Sequence, residues 1–210
     1  MLFGIKRKIK KFIKKRTYLE PLSRENILLV DRFSRLLDKV KPIPGAVVEC
    51  GVYRGKTLSI LTALAAMQGK AVYGFDSFQG LTWQDEQWFM DVSEEKTAAF
   101  LKENRFKNVV LVKGYFQDTL PQWKEKIGPI SFLHLDCDLY ESYKICLENL
   151  WPNLSPGGMA LFDEYDAEQD KRVWTGPKKG IDEFCAKKRL TLRRDESSGK
   201  VYVVKPGADV

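Results

Sequence analysis

The chain has 210 residues, of which 44% are hydrophobic and 30% are charged. This size and composition fit one globular domain and exclude an intrinsically disordered or fibrous protein. No apolar run approaches the roughly 20 residues that span a bilayer, and the basic start lacks the apolar segment of a secretory signal. The four cysteines have no metal-ligand spacing, so we expect buried, reduced thiols in a cytoplasmic protein.

The net charge of +7 is concentrated at the N-terminus. Residues 1–16 carry eight basic side chains and no acidic one, which leaves 27 basic against 28 acidic residues, a net charge of −1, in the rest of the chain. The basic balance is therefore no indication of nucleic-acid binding. Apolar residues recur at helical spacing between these lysines. We expect residues 1–20 to form a basic amphipathic arm and residues 21–210 to form the domain.

Two structures for the arm remain open at this point. Residues 1–16 either lie on an anionic membrane surface, at the inner face of the membrane, or form a solvated arm that is free or docked on a partner subunit.

The rest of the chain alternates between helical and strand periodicity. A first helix is predicted over residues 23–40, with Ser23 as its N-cap and Pro42 after its end. The predicted strands that follow are 46–50, 71–76, 109–114, 130–136 and 159–164. The predicted helices that separate and follow them are 56–68, 94–104, 119–126, 141–152 and 177–188. A polar and aromatic stretch occupies residues 80–93, a turn over residues 155–158 introduces the fifth strand, and a β-hairpin around residues 197–199 closes the chain.

This order of elements predicts a Rossmann-like α/β fold. Strands that are apolar on both faces and separated by helices form a mostly parallel sheet covered on both sides. Right-handed crossovers make it doubly wound, and ligands then bind at the carboxyl ends of the strands. The closing hairpin adds an antiparallel edge.

The first strand ends in a glycine-containing turn that suits a ligand. Glu49 can hold a cation or a hydrogen-bond donor, and Gly51 and Gly55 let the backbone approach a ligand closely. The turn is not the G-x-G-x-x-G fingerprint, which disfavours a nicotinamide cofactor.

The second and third strands end in residues that suit a nucleoside. Asp76 is placed to accept hydrogen bonds from a ribose diol, although a turn or capping role is the alternative. Phe116 and Asp118 offer an aromatic face and a carboxylate to an adenine, although a core Phe beside a helix-capping Asp is nearly as good an interpretation.

The fourth and fifth strands end in four carboxylates. Asp136 and Asp138 alternate with His134, so all three share one face while the strand persists, and Asp163 and Glu164 end the fifth strand. Neighbouring strands lie about 4.8 Å apart, so these carboxylates can converge. Their repulsion would be relieved by Mg²⁺, although helix caps or ion pairs are the alternative. His134 is either a base or, as we favour, a hydrogen-bonded strand residue.

Five blocks of residues carry a family resemblance, and they occur in the order VECGVYRG, YGFDSFQGL, GYFQDTLP, HLDCDLYES and LSPGGMALFDEY. Together they resemble the macrocin O-methyltransferase (TylF-type) family of S-adenosylmethionine-dependent methylases, over about residues 46–185. The resemblance implies a class I methyltransferase fold of seven strands. It also implies Mg²⁺-dependent methyl transfer to a hydroxyl of a sugar in a glycoside or glycan, and a homodimer.

The resemblance also implies a role for individual residues. The cofactor residues are Glu49, Gly51 and Gly55 beside the methionine half, Asp76 at the ribose, Phe116 and Asp118 at the adenine, and also Tyr53, Ser77 and Asp136. The metal ligands are Asp136, Asp163 and Glu164, and Asp138 is the general base. Glu164 stands where the family commonly has Asp, and Thr82 follows Gly80-Leu81 where Pro is usual. Trp83, Trp88 and Phe89 suit a lid on a sugar ring, and the alternative is that they form the core of a mobile loop.

Two other functions stay open. The acceptor would be a catechol or another phenol in the first. In the second the chain would be a non-catalytic, membrane-peripheral protein with a methyltransferase-like fold, although four crowded carboxylates argue against lost catalysis.

Overall fold

The computed structural model describes residues 24–83, 86–166 and 176–207. The expected arm over residues 1–20 lies outside them, as does the expected N-cap Ser23. The helices are α1 (Arg24–Lys39), α2 (Lys56–Ala66), α3 (Glu94–Glu103), α4 (Phe116–Ile127), α5 (Tyr140–Leu150) and α6 (Gly176–Lys188). The strands are β1 (Ala46–Cys50), β2 (Val72–Asp76), β3 (Leu81–Trp83), β4 (Glu86–Trp88), β5 (Val109–Lys113), β6 (Ile130–Leu135), β7 (Leu154–Phe162), β8 (Arg193–Arg194) and β9 (Val201–Val204).

Seven of these strands form one sheet in the order β5-β2-β1-β6-β7-β9-β8. The pairs among β5, β2, β1, β6 and β7 are parallel. The pairs of β9 with β7 and with β8 are antiparallel. The predicted fold class, a doubly wound and mostly parallel sheet with a closing antiparallel hairpin, is confirmed.

Helices cover both faces of the sheet because successive strand residues are apolar. Val47 and Phe132 face the core that contains Phe33 of α1. Val48 and Leu133 face the opposite core. All five side chains are buried, so the central strands have no solvent-facing side, as their largely apolar sequences predict. The four cysteines are buried and free, as expected.

The chain differs from the predicted elements in three places. β7 begins at Leu154, so the expected turn over residues 155–158 lies inside the strand, where its register against β6 shifts. Gly157 and Gly158 there exchange backbone hydrogen bonds with Lys205, which extends the pairing with the hairpin. β3 and β4 form a small antiparallel hairpin that the sequence did not predict. α4 begins at Phe116 rather than at residue 119.

Among the residues described, no helix is both long enough and apolar enough to cross a membrane.

Candidate active site at the carboxyl ends of the strands

A cleft of about 350 Å³ opens where β1, β2, β5 and β6 end. Its wall is built from the loops that follow these strands. The sequence-predicted residues that line it are Gly51, Tyr53, Asp76, Ser77, Phe116, Asp136 and Asp138. The structure therefore brings most of the expected cofactor residues, and the expected base, to one cavity.

Gly51 lies where the loops after β1 and β6 touch. Its φ is +93°, and a Cβ atom there would stand 1.7 Å from the backbone oxygen of Asp136. Only glycine fits both the conformation and the space. This close approach holds Asp136 directly beside the glycine-containing turn.

Asp76 organises that turn from the end of β2. Its Oδ2 accepts hydrogen bonds from the amides of Val52 and Tyr53, each at 2.8 Å. Its Oδ1 accepts one from the amide of Phe78 at 2.7 Å. These three hydrogen bonds fix the shape of the turn. A carboxylate has about four lone-pair sites, so Asp76 can still accept a hydrogen bond from a ligand in the cleft.

Tyr53 connects the turn to the segment after the β3–β4 hairpin. Its hydroxyl donates to Oδ1 of Asp91 at 2.6 Å, and its ring lies 5.2 Å from that of Phe89. Arg54 forms an ion pair with the same Asp91. Phe89 lines the cleft, as expected for a lid, although Trp88 does not.

Three expected cofactor residues do not line the cleft. Glu49 is fully buried beneath the site and its Oε1 lies 3.0 Å from Nδ1 of His134. Gly55 caps α2 and faces Thr97. Asp118 is exposed on the first turn of α4, because residues 116–118 begin a helix rather than end a strand.

The expected metal ligands do converge. Asp136, Asp163 and Glu164 each offer an oxygen, and these oxygens lie within 4.8 Å of one another. Asp136 follows the last residue of β6, and Asp163 and Glu164 follow the last residue of β7. Because β6 and β7 are parallel neighbours, their ends place the three carboxylates together.

Burial and mutual repulsion govern the charge of two of these carboxylates. Burial, with the charge of Asp163, raises the pKa of Asp136 above its usual range. Burial, with the charge and hydrogen bond of Asp136, raises the pKa of Glu164 well above its usual range. Such a pair of oxygen ligands fits a hard divalent cation, whose charge would favour both ionised forms.

Asp163 lies beside three basic side chains. Lys200 Nζ lies 2.8 Å from its Oδ2, and Arg32 and Nε2 of His134 each lie 3.9 Å from its Oδ1. Burial alone would raise the pKa of Asp163, but His134 and Lys200 outweigh it and lower that pKa. The sequence analysis missed Lys200 and Arg32. The closing hairpin is the feature that could have indicated Lys200. Val201 pairs with Phe162 in the antiparallel register, which places Lys200 beside Asp163.

Asp138 reaches the cleft by another route than expected. β6 ends at Leu135, so the alternation predicted for His134, Asp136 and Asp138 while the strand persists stops before Asp136. Asp138 instead takes φ +61° in the loop before α5, a conformation that Asp tolerates better than most residues. Burial, with the charges of Asp136 and Asp163, raises the pKa of Asp138 to about 7.

The profile of the macrocin O-methyltransferase (TylF) family matches residues 30–191. This match covers more than half of the chain. The chain belongs to the macrocin O-methyltransferase (TylF) family.

Two curated relatives are O-methyltransferases of Streptomyces. The demethyldecarbamoylnovobiocin O-methyltransferase of Streptomyces niveus is 29% identical over 73% of this chain and 64% of its own length. The 8-demethyl-8-(2,3-dimethoxy-alpha-L-rhamnosyl)-tetracenomycin-C 4'-O-methyltransferase of Streptomyces olivaceus is 32% identical over 59% of this chain and 54% of its own length.

Among solved structures, that of the O-methyltransferase NovP superposes with a TM-score of 0.72, at 26% identity over 86% of this chain and 81% of that one. The calicheamicin methyltransferase CalS11 superposes with a TM-score of 0.70 at 20% identity, which shows the fold alone, over 96% of this chain and 91% of that one. The chain spans 54 to 64% of the length of these two curated relatives.

Proposed function

We propose that this chain transfers the methyl group of S-adenosylmethionine to a sugar hydroxyl of a glycoside or glycan, with Mg²⁺ at the site. The observation that carries the proposal is the convergence of Asp136, Asp163 and Glu164, with oxygens within 4.8 Å of one another, at the edge of a cleft that Asp136 and Asp138 also line.

The cleft suits the cofactor. Asp76 would accept from the ribose diol with its remaining acceptor capacity, and Phe116 would contact the adenine face. Gly51 leaves space where a side chain would clash. When bound, S-adenosylmethionine supplies an electrophilic methyl group on a sulfonium centre. The contribution of the chain is to hold donor and acceptor in line, since positioning alone removes a large part of such a barrier.

The carboxylate cluster suits the metal. Asp136, Asp163 and Glu164 would hold it through three oxygens, the ligand type that Mg²⁺ prefers. When bound, Mg²⁺ supplies positive charge that stabilises the charge developing on the acceptor oxygen. Asp163 is held in place by Lys200, Arg32 and His134. A bound ion would therefore have less than the full negative charge of the cluster to neutralise.

Asp138 is the proposed general base. Its carboxyl group lines the cleft beside Asp136, and its pKa of about 7 suits proton transfer near neutral pH. His134 is buried within β6 and does not line the cleft, so Asp138 is the better placed of the two expected bases to take the hydroxyl proton.

The sugar acceptor is supported by the relatives. The names of the relatives from Streptomyces olivaceus and Micromonospora griseorubida describe O-methylation of a rhamnosyl tetracenomycin and of mycinamicin III. One protein of the same fold, CalS11, is a TDP-rhamnose 3'-O-methyltransferase. We extend the acceptor class, not a particular acceptor, to this chain.

Three further expectations remain proposals. Residues 1–16 would contact an anionic membrane, the chain would form a homodimer, and it would act in the cytoplasm. None of these three proposals depends on the residues that line the cleft.

Calorimetric titration with S-adenosylmethionine and with S-adenosylhomocysteine, each with Mg²⁺ and with EDTA, tests the cofactor part of the proposal. Micromolar binding of both ligands is expected. Absence of binding under both conditions would contradict the proposed function.

A further inference from the structure

Tyr143 lies beneath the carboxylate cluster, on the first turns of α5. Its side chain is 0% exposed. Its hydroxyl contacts the Oε2 atom of Glu164, lies 2.9 Å from the backbone oxygen of Leu135, and accepts from the amide of Glu164 at 3.5 Å. One hydroxyl therefore touches the end of β6 and the end of β7 at the same time.

These contacts link Asp136 and Glu164, which are two of the three proposed metal ligands. Leu135 immediately precedes Asp136, so a hydroxyl bonded to the Leu135 carbonyl lies at the base of that ligand. The same hydroxyl contacts the carboxylate of Glu164 itself. Tyr143 thus relates the position of Glu164 to that of Asp136, across the two parallel strands.

The ring of Tyr143 is held firmly enough to serve as an anchor. It packs against Phe162, the last residue of β7, with ring centroids 6.3 Å apart. Its backbone amide donates to the carbonyl of Leu139 at 3.0 Å, within the first turn of α5. A buried ring fixed from two sides has little rotational freedom, so the hydroxyl stays at one place.

A phenol donates one hydrogen, and here two acceptors compete for it. A hydrogen bond to an ionised carboxylate is roughly twice as strong as one to a neutral carbonyl. When Glu164 is ionised to bind a cation, the hydroxyl donates to Glu164 and accepts from its amide. The longest of the three ligand side chains is then held at its tip.

We infer that Tyr143 is a positioning residue for the metal site: its hydroxyl holds the flexible carboxylate of Glu164 in place beside Asp136. This inference rests on the proposed metal site. Tyr143 is buried and does not line the cleft, so it acts through Glu164.

The test is a double-mutant cycle on metal affinity, with Mn²⁺ as the probe and electron paramagnetic resonance as the readout. Tyr143→Phe removes the hydroxyl and keeps the ring. Loss of such a supporting hydrogen bond lowers metal affinity by about tenfold or more. Glu164→Asp keeps the carboxylate but is one methylene shorter, so it cannot reach both the ion and Tyr143, and we expect a loss of similar size.

The double variant discriminates positioning from a general effect on the fold. If Tyr143 acts through Glu164, Tyr143→Phe changes the Mn²⁺ affinity by less than about twofold in the Glu164→Asp background, because the two losses are not additive. The inference would be overturned if Tyr143→Phe lowered the Mn²⁺ affinity equally in the wild-type and Glu164→Asp backgrounds. It would also be overturned if folded Tyr143→Phe bound Mn²⁺ as tightly as the wild type.

Two controls complete the experiment. Tyr73→Phe removes a phenol from β2, against Trp123, and should leave Mn²⁺ affinity unchanged. Thermal unfolding of every variant shows that it is folded. If Tyr143→Phe does not fold, Glu164→Asp alone decides, because wild-type Mn²⁺ affinity in that variant would overturn the inference. A wild-type protein that binds no Mn²⁺ would overturn the proposed metal site together with it.

Discussion

Glu49 and His134 are cross-strand neighbours on β1 and β6, and Oε1 of Glu49 lies 3.0 Å from Nδ1 of His134. Both side chains are buried. Among the described residues, the other polar atoms of the pair, Oε2 of Glu49 and Nε2 of His134, have no hydrogen-bond partner. Since Nε2 faces Asp163 at 3.9 Å, the pair supports the carboxylate cluster from below.

The pair is expected to contribute to stability. Glu49→Ala leaves His134 buried without its partner, and breaking such a pair costs about 3 kcal/mol or more. Urea unfolding followed by circular dichroism measures this change, with exposed Glu103→Ala on α3 as the matched control. If Glu49→Ala unfolds like the wild type but loses cofactor affinity, Glu49 contacts the cofactor after all.

Asp138→Asn is expected to stop turnover while cofactor binding persists. The amide cannot accept the hydroxyl proton, and general-base catalysis is worth about 10²- to 10⁴-fold in rate. Initial rates and calorimetric titration with S-adenosylhomocysteine measure the two properties separately. Exposed Asp38→Asn on α1 is the control. Near wild-type turnover in Asp138→Asn would remove Asp138 from the role of base.

The metal-free protein is expected to lose stability as the pH rises through neutrality. A carboxyl group whose pKa is higher in the folded than in the unfolded chain stabilises the fold below its unfolded pKa, and that contribution is lost as the pH rises through the folded pKa. Burial raises the pKa of Asp136, Asp138 and Glu164 in this way.

Mg²⁺ should reverse part of this loss, because it favours the ionised carboxylates. Thermal unfolding in EDTA and in Mg²⁺, between about pH 5 and about pH 8, should diverge increasingly towards higher pH. Asp136→Asn should abolish the difference. Curves that stay parallel in the wild type would contradict a metal bound at these residues.

Asp195 gives the opposite pH dependence, at lower pH. Burial would raise its pKa, but hydrogen bonds from Ser198 and Ser197 and the charge of Arg35 outweigh burial and lower that pKa to about 2. Its stabilising contribution is present above the unfolded pKa of about 4 and is lost as the pH falls through the folded value.

Asp195→Asn should therefore lower the unfolding free energy at neutral pH by about 2 kcal/mol, a difference that shrinks below about pH 4. Urea unfolding at both pH values measures it, with the exposed neighbour Glu196→Gln as the control. A difference that is independent of pH would show that the charge of Asp195 does not matter.

The sequence predicts the site residues at the ends of the strands better than the buried residues that support them. Asp136, Asp163 and Glu164 follow largely apolar runs, so their place at the sheet edge follows from the sequence pattern. The pairing of Glu49 with His134 depends on β1 and β6 becoming neighbours, which no local pattern specifies. Tyr143 reads as one more apolar position of α5, and only the packing of α5 against β6 and β7 shows its hydroxyl under Glu164.

The most direct test of the account is a methyl-transfer assay read by mass spectrometry. The protein is incubated with S-adenosylmethionine and a panel of rhamnosides, other glycosides and a catechol, with Mg²⁺ or with EDTA. We predict addition of one methyl group to a sugar hydroxyl in Mg²⁺, its loss in EDTA, and no product with Asp138→Asn. Transfer to the catechol alone, or equal transfer in EDTA, would contradict the account.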